Sequence, residues 1–262
     1  MDIVNAIILG IIQGLTEFLP VSSSGHLEIA KALLGDNSVP KESLLLTVVL
    51  HFATALSTIV IFRKDIKEVG SGLFSKNNRS FKFSFFIAIS MIPAALIGFF
   101  FEENIEFLFG GQLKLVAYML MITGLLLLFA DKKIENEKNV GMLDSILIGI
   151  AQAIAILPGI SRSGATISCA ILLGINKEKA ARFSFLMVIP LIFGKMGKDI
   201  LSGNIVYDSA IFFPLVFGFI SAFITGVFAC KLMIRLVKNS NLKYFSYYCF
   251  VIAFVVLFSL LT

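Results

Sequence analysis

Residues 13–26 read QGLTEFLPVSSSGH, and residues 157–166 read LPGISRSGAT. The first stretch spaces Gln13 and Glu17 at i, i+4, on one helix face, and follows them with Pro20, Ser22, Ser23, Ser24, Gly25 and His26. The second supplies Ser161, Arg162, Ser163 and Thr166. A serine ahead of a helix accepts hydrogen bonds from the free N–H groups of the first turn, where the dipole is positive. Two such helix starts and an arginine fork form an anion site suited to phosphate oxygens. His26 has the chemistry of a nucleophile or a general acid/base. Glu17 has three readings: orienting His26, taking a proton, or holding a divalent cation together with phosphate oxygens. Each has a structural alternative beside it. The serines serve as caps alone, Glu17 and Arg162 as an ion pair, and His51, the other histidine of the chain, as interhelical hydrogen-bond glue. Glu28 and Lys31, one turn apart, read as a solvated or cavity-rim pair. No zinc spacing, phosphate-binding Gly-Lys loop or Gly-x-Ser-x-Gly elbow accompanies them.

The elements that must position these residues are apolar. The chain has 262 residues, 58% hydrophobic and 15% charged, with a mean hydropathy of +0.94. A soluble domain carries about 25% charged residues. Continuous apolar runs, rather than alternating segments of about 10 residues, predict an all-α polytopic membrane protein, not a barrel. The opening MDIVNA has no basic region of the kind that starts a cleaved signal peptide. Cys169, Cys230 and Cys249 lie in apolar segments and read as small buried hydrophobes. The net charge of +5 fits basic loops on one membrane face, not nucleic-acid binding.

Six stretches predict spanning helices: 44–63, 81–101, 113–130, 182–201, 209–233 and 244–261. Loops 63–82, 131–141, 175–182 and 231–243 carry six, three, three and four Lys/Arg; 36–43 carries one, and 101–112 and 202–208 none. The basic set is expected on the cytoplasmic side, with both termini outside. Lys195 and Lys198 then fall near the external end of their span and must snorkel or face protein. Residues 3–35 and 141–175 fit no simple crossing. Thirty-three helical residues would be about 50 Å long against about 30 Å of hydrocarbon. Each segment is broken in its middle and enters and leaves by one face. Both read as re-entrant hairpins of two half-helices.

The hairpins align without gaps at a shift of 139. Gly10, Gln13, Ser22, Ser24, Gly25, Gly35 and Asn37 lie over Gly149, Gln152, Ser161, Ser163, Gly164, Gly174 and Asn176. Three spans follow each hairpin, so the second copy is inverted in the membrane. The chain reads as one membrane domain of two inverted repeats, about 1–135 and 141–262, with a polar site between the hairpin tips. An anion site, a nucleophile candidate and a carboxylate in apolar surroundings suggest phosphate-ester or phosphoanhydride chemistry on a lipid, headgroup in the cavity and tail in hydrocarbon.

The two motifs together resemble the signatures of the bacitracin-resistance type undecaprenyl-diphosphatases, and the resemblance covers essentially the whole chain. It implies hydrolysis of undecaprenyl diphosphate to the monophosphate in the bacterial plasma membrane. That reaction recycles the lipid carrier for peptidoglycan and confers resistance to bacitracin, which sequesters the diphosphate. It also implies a divalent cation, Mg²⁺ or Ca²⁺. By position, Gln13 and Glu17 match the first-motif pair, Ser22, Ser23 and His26 the catalytic stretch, and Ser161, Arg162, Ser163 and Thr166 the phosphate-binding tip; Ser24 stands among the phosphate-binding serines. Gln at position 13 leaves Glu17 the sole carboxylate of the tip and the metal-ligand candidate. The attacking group is open between His26, Ser23 and a metal-activated water, with His26 favoured. An echo of the type 2 phosphatidic acid phosphatases fails, since no His follows Arg162.

An inverted repeat with an anion site also describes a transporter or flippase of an anionic polyprenyl lipid, and a homodimer stays open. The expected orientation opens the cavity to the extracytoplasmic side. It predicts that a cysteine at Ser38, not at Ser75, reacts with an impermeant reagent.

Overall fold

A computed structural model describes residues 2–35, 40–72, 78–108, 111–133, 137–201, 211–238 and 242–261. Its elements are helical: α1 (Ile3–Phe18), α2 (Ser23–Leu33), α3 (Pro40–Ile61), α4 (Arg63–Gly72), α5 (Asn78–Phe100), α6 (Glu102–Leu108), α7 (Leu113–Asp131), α8 (Met142–Ile154), α9 (Arg162–Leu172), α10 (Lys177–Leu201), α11 (Phe212–Lys238) and α12 (Leu242–Ser259). Extended pairing among the described residues is limited to an isolated parallel bridge between Lys138 and Ile175.

Five of these helices are long and apolar enough to cross a membrane: Ser80–Phe100, Leu113–Asp131, Lys177–Lys198, Phe212–Val237 and Leu242–Ser259. The sixth expected span is α3, which does not run on to residue 63. It stops at Ile61, and α4 leaves it at 84°. The basic stretch after this span is therefore partly helical, not loop. Its Ile66 and Val69 pack on the core while Arg63, Lys64 and Lys67 are exposed, the amphipathic pattern of a helix lying across the end of a bundle. Arg182 of α10 pins it there through Asp65 at 2.5 Å and Glu68 at 2.6 Å. Lys198 is exposed, with its ammonium 5.5 Å over the Phe99 ring of α5, so it faces protein as its position requires; the side chain of Lys195 lies outside the described residues.

The two unusual segments fold as pairs of short helices. At 1.5 Å per residue, α1 is about 24 Å long and α2 and α9 about 17 Å each. The sequence shift holds to the residue: α2 starts at Ser23 and ends at Leu33, and α9 starts at Arg162 and ends at Leu172. Packing is reciprocal between the halves. Helix α1 lies on α11, the second long helix after the other hairpin, and α8 lies correspondingly on α5. Helices α3 and α10 pack on each other, as do α7 and α12. Gly10 and Gly149, paired in the alignment, explain the close approach. A Cβ on Gly10 would sit 2.5 Å from the Gly218 carbonyl oxygen, and one on Gly149 would sit 2.5 Å from that of Ser90. Small residues let membrane helices touch backbone to backbone.

Candidate active site

The break in each hairpin is made by its serines. Ser22 precedes α2 and its Oγ accepts from the Gly25 N–H at 3.2 Å; Ser161 precedes α9 and accepts from the Gly164 N–H at 3.0 Å. Ser22 adopts φ 71°, alone among the described non-glycine residues in the left-handed region. Such a backbone costs about 1–3 kcal/mol and persists where its surroundings fix it. Capping is thus a real role for Ser22 and Ser161. Ser24 and Ser163 complete each turn, with hydroxyls 3.3 Å from those of Ser22 and Ser161.

The tips meet. Ser163 donates to the Leu19 carbonyl at 3.4 Å. Gly159, at φ 99°, has no room for a Cβ, which would lie 2.5 Å from the Val116 carbonyl oxygen. Thr123 of α7 donates to the Gly159 carbonyl at 3.1 Å and accepts from the Ser161 N–H at 3.0 Å, fixing the second tip to a long helix.

Glu17 stands at this junction, 9% exposed. Its Oε1 accepts from Arg162 Nη2 at 2.6 Å, and its Oε2 accepts from Ser23 Oγ at 2.8 Å and from Gln13 Nε2 at 3.0 Å. Ser23 and Arg162 are equivalent positions of the aligned hairpins, the first residues of α2 and α9, so both half-helices aim their opening side chain at one carboxylate. A buried charge is costly unless paired and hydrogen-bonded, and Glu17 is both. Among the described residues, five buried side-chain polar atoms have no hydrogen-bond partner, and two of them belong to this cluster: Arg162 Nη1 and Gln13 Oε1. Glu17 is reached by Nη2 of the guanidinium, which has five N–H donors; the bare Nη1 leaves Arg162 able to bind a second anion.

Three sequence expectations change here. Glu17 does not contact His26. The imidazole Nδ1 donates to the Ser22 carbonyl at 2.8 Å, and its Nε2 lies 2.9 Å from Tyr248 Oη. His51 is more than glue between spans: its Nδ1 lies 2.8 Å from the Thr47 carbonyl of its own helix, and its Nε2 faces Glu17 Oε2 at 3.9 Å. The signal was present in the chain's two histidines, both in apolar segments, but only packing of α3 on α1 brings the second to the site. Thr166 sits one turn inside α9, fully buried, and its hydroxyl is engaged by the Arg162 carbonyl at 2.8 Å and by Ser184 at 2.6 Å. It supports the helix behind Arg162 and does not reach the junction. Tyr248 and Thr123 carry no local motif and are found only in the fold. Glu28 and Lys31 do pair, at 3.6 Å, with Glu28 also accepting from the Gly111 N–H at 3.2 Å.

Among the described residues no three His, Cys, Asp or Glu side chains cluster as a metal site. A hard divalent cation takes oxygen donors and often only one or two carboxylates, completing its shell with substrate phosphate. The Glu17 carboxylate and the unpartnered Gln13 Oε1 are the oxygen donors that a cation shared with a phosphate would use, with Gln13 turning its Nε2 toward the carboxylate.

The fold and the site define a polytopic helical membrane protein whose two broken helix pairs converge on a buried carboxylate, a hydroxyl and an arginine. The chain matches the family model "Bacitracin resistance protein BacA" over residues 6–255. It is 61% identical to the undecaprenyl-diphosphatase of Christiangramia forsetii over 96% of both chains, and 46% identical to that of Bacteroides fragilis over 97% of both. A relative of the same name from Methanococcus vannielii is 42% identical over 96% of this chain and 98% of its own. The chain belongs to the BacA family.

Proposed function

We propose that this chain hydrolyses undecaprenyl diphosphate to undecaprenyl phosphate and inorganic phosphate in a bacterial plasma membrane, recycling the lipid carrier of cell-wall synthesis and conferring bacitracin resistance. The observation that carries the reading is the Glu17 carboxylate, which holds the Ser23 hydroxyl on one oxygen and Arg162, with a free Nη1, on the other. The two capped helix starts and Nη1 receive the terminal phosphate. Ser23 Oγ attacks its phosphorus while the hydroxyl hydrogen passes to Glu17 Oε2. The bond from phosphorus to the bridging oxygen breaks, and undecaprenyl phosphate leaves. Water then cleaves the phosphoserine, its proton passing to His26 and from there to solvent, and Glu17 returns a proton to Ser23 Oγ. A nucleophilic hydroxyl needs a base within about 2.6–3.2 Å. Glu17 meets that and His26 has no contact with Ser23, so contact geometry favours Ser23 where the motif alone favoured His26. Gln13 and Glu17 would hold Mg²⁺ or Ca²⁺, which when bound neutralises phosphate charge.

The reciprocal packing of the halves supports an inverted repeat, and the alternation of basic loops supports an orientation with the Glu17 tip entered from outside and both termini extracytoplasmic. Inverted repeats with broken helices also underlie alternating access, so lipid movement is the second reading. Phosphate release from a long-chain polyprenyl diphosphate by the purified chain separates the two. Release that chelator, Glu17→Ala, His26→Ala and Arg162→Ala each remove is the expected result. No release from folded wild-type protein across metals and chain lengths would make the transporter reading the better one.

A further inference from the structure

Tyr248 is the contact of His26 that no motif announces. The Ser22 carbonyl can only accept, so His26 Nδ1 carries the hydrogen, and Nε2 of the neutral ring presents a lone pair. Tyr248 Oη, at 2.9 Å, donates to it. The two rings lie within 10° of parallel, with centroids 5.5 Å apart. Tyr248 is held in place on both sides along α12. Two residues earlier, the buried Ser246 donates to the Gly124 carbonyl of α7 at 2.6 Å; one residue later, the buried Cys249 lies 3.8 Å from the Pro20 carbonyl of the first tip. Tyr248 itself is 42% exposed, beside the more exposed Tyr244 and Tyr247. Its phenol therefore stands between the reactive nitrogen and the surroundings of the protein, on an anchored stretch of helix. Glu17 does not orient His26, because both ring nitrogens are turned elsewhere, Nδ1 to the Ser22 carbonyl and Nε2 to Tyr248.

We infer that Tyr248 is the proton relay of His26: its hydroxyl holds Nε2 and, in turnover, passes its own hydrogen to that nitrogen while its oxygen takes one from water. The inference rests on the diphosphatase reading, in which His26 receives the proton of water; the Nε2 lone pair is filled by the Tyr248 hydroxyl, so that proton enters on the phenol oxygen as the phenol hydrogen moves to Nε2. One hydrogen bond is worth about 1 kcal/mol. Its loss leaves the ring held by Nδ1 alone, exposes Nε2 to solvent and removes the link by which the proton of water reaches it.

The chain has two histidines, so a His51→Gln background leaves His26 as the sole imidazole. Purified in detergent with a tag free of histidine, this protein is treated with diethyl pyrocarbonate and imidazole modification is followed by absorbance. Tyr248→Phe, which keeps the ring and removes the hydroxyl, is expected to modify His26 about five-fold faster, the fold-change of one such hydrogen bond. In otherwise wild-type protein it is expected to lower kcat for polyprenyl diphosphate by about ten-fold with KM changed less than three-fold, the signature of an interaction used in the transition state. Tyr247→Phe, one residue away, is the control and should change neither. Equal modification rates with and without the Tyr248 hydroxyl, or a fall in affinity with kcat preserved, overturn the inference while leaving the diphosphatase intact. Absence of phosphate release from wild type would strike the diphosphatase reading instead, because the modification rates report the Tyr248–His26 contact without any turnover.

Discussion

The Glu17–Arg162 pair joins residues 145 apart in sequence and has two separable roles. It neutralises a buried carboxylate, and it holds in place the guanidinium whose Nη1 is left unpartnered, the group proposed to meet the phosphate. Removing one member of a buried pair strands the other and costs about 3–5 kcal/mol, whereas replacing both with uncharged groups of similar volume is often neutral. Arg162→Met is therefore expected to lower stability by about 3 kcal/mol and to abolish turnover. The double variant Glu17→Gln/Arg162→Met is expected to recover most of that stability and none of the turnover. Unfolding in detergent, read beside phosphate release, checks both. A double variant that stays as unstable as the single one would mean that the pair is not what destabilises the junction. Ser22 and Ser161 make a second contrast at this scale. Ser161 caps α9 from ordinary extended backbone, at φ −70°, so Ser161→Ala should cost about 1 kcal/mol. Ser22 caps α2 from φ 71°, where glycine is at ease. Ser22→Gly loses the cap but relieves the backbone, and its effect on the melting temperature should be close to zero.

At the scale of elements, the hairpins are held less by their tips than by the long helices they lie on. Helix α8 meets α5 at Gly149, where a Cβ would come within 2.5 Å of a backbone carbonyl oxygen that cannot move aside as a side chain would. Gly149→Val should therefore force α8 off α5, costing about 3 kcal/mol or more, and should lower turnover by displacing Arg162 at the far end of the same hairpin. Thermal unfolding and phosphate release check it together. Destabilisation without loss of turnover would show that α9, held by Thr123 and Ser184, positions Arg162 independently of α8. By contrast, the surface pairs of Arg182 with Asp65 and Glu68 are partly exposed. Arg182→Gln should cost no more than about 1 kcal/mol.

For the whole molecule, the reciprocal packing of two halves and the alternation of basic loops make one prediction about placement in the bilayer. Cysteine at Ser38 should react with an impermeant maleimide in intact cells, and cysteine at Ser75 only after permeabilisation. Both positions lie outside the described residues, on opposite sides of α3 in the chain. Reaction at Ser75 alone would invert the assignment of faces, and with it the side from which a headgroup reaches Glu17.

Class, breaks and chemistry are legible along the chain. Apolar length dictates helices, because lipid offers no hydrogen bonds to an open backbone. Two runs too long for one crossing and too short for two must break, and Pro20, Gly159 and the serines show where. The shift of 139 predicts α9 from α2 to the residue. Local rules of this kind act over a few residues and are legible along the chain. Which groups meet is set by packing: of the pairings offered by the sequence, the Glu17–Arg162 ion pair forms and the Glu17–His26 contact does not. Packing turned Glu17 away from His26 and toward Ser23 and Arg162, brought His51 to within 3.9 Å of that carboxylate, withdrew Thr166 behind α9 and set Tyr248 against the imidazole. It also bent the chain by 84° after α3, where composition showed only a basic loop. Those partners lie on helices distant in sequence, and the rotation of each helix about its axis is set by packing at positions such as Gly10 and Gly149, which no local motif encodes.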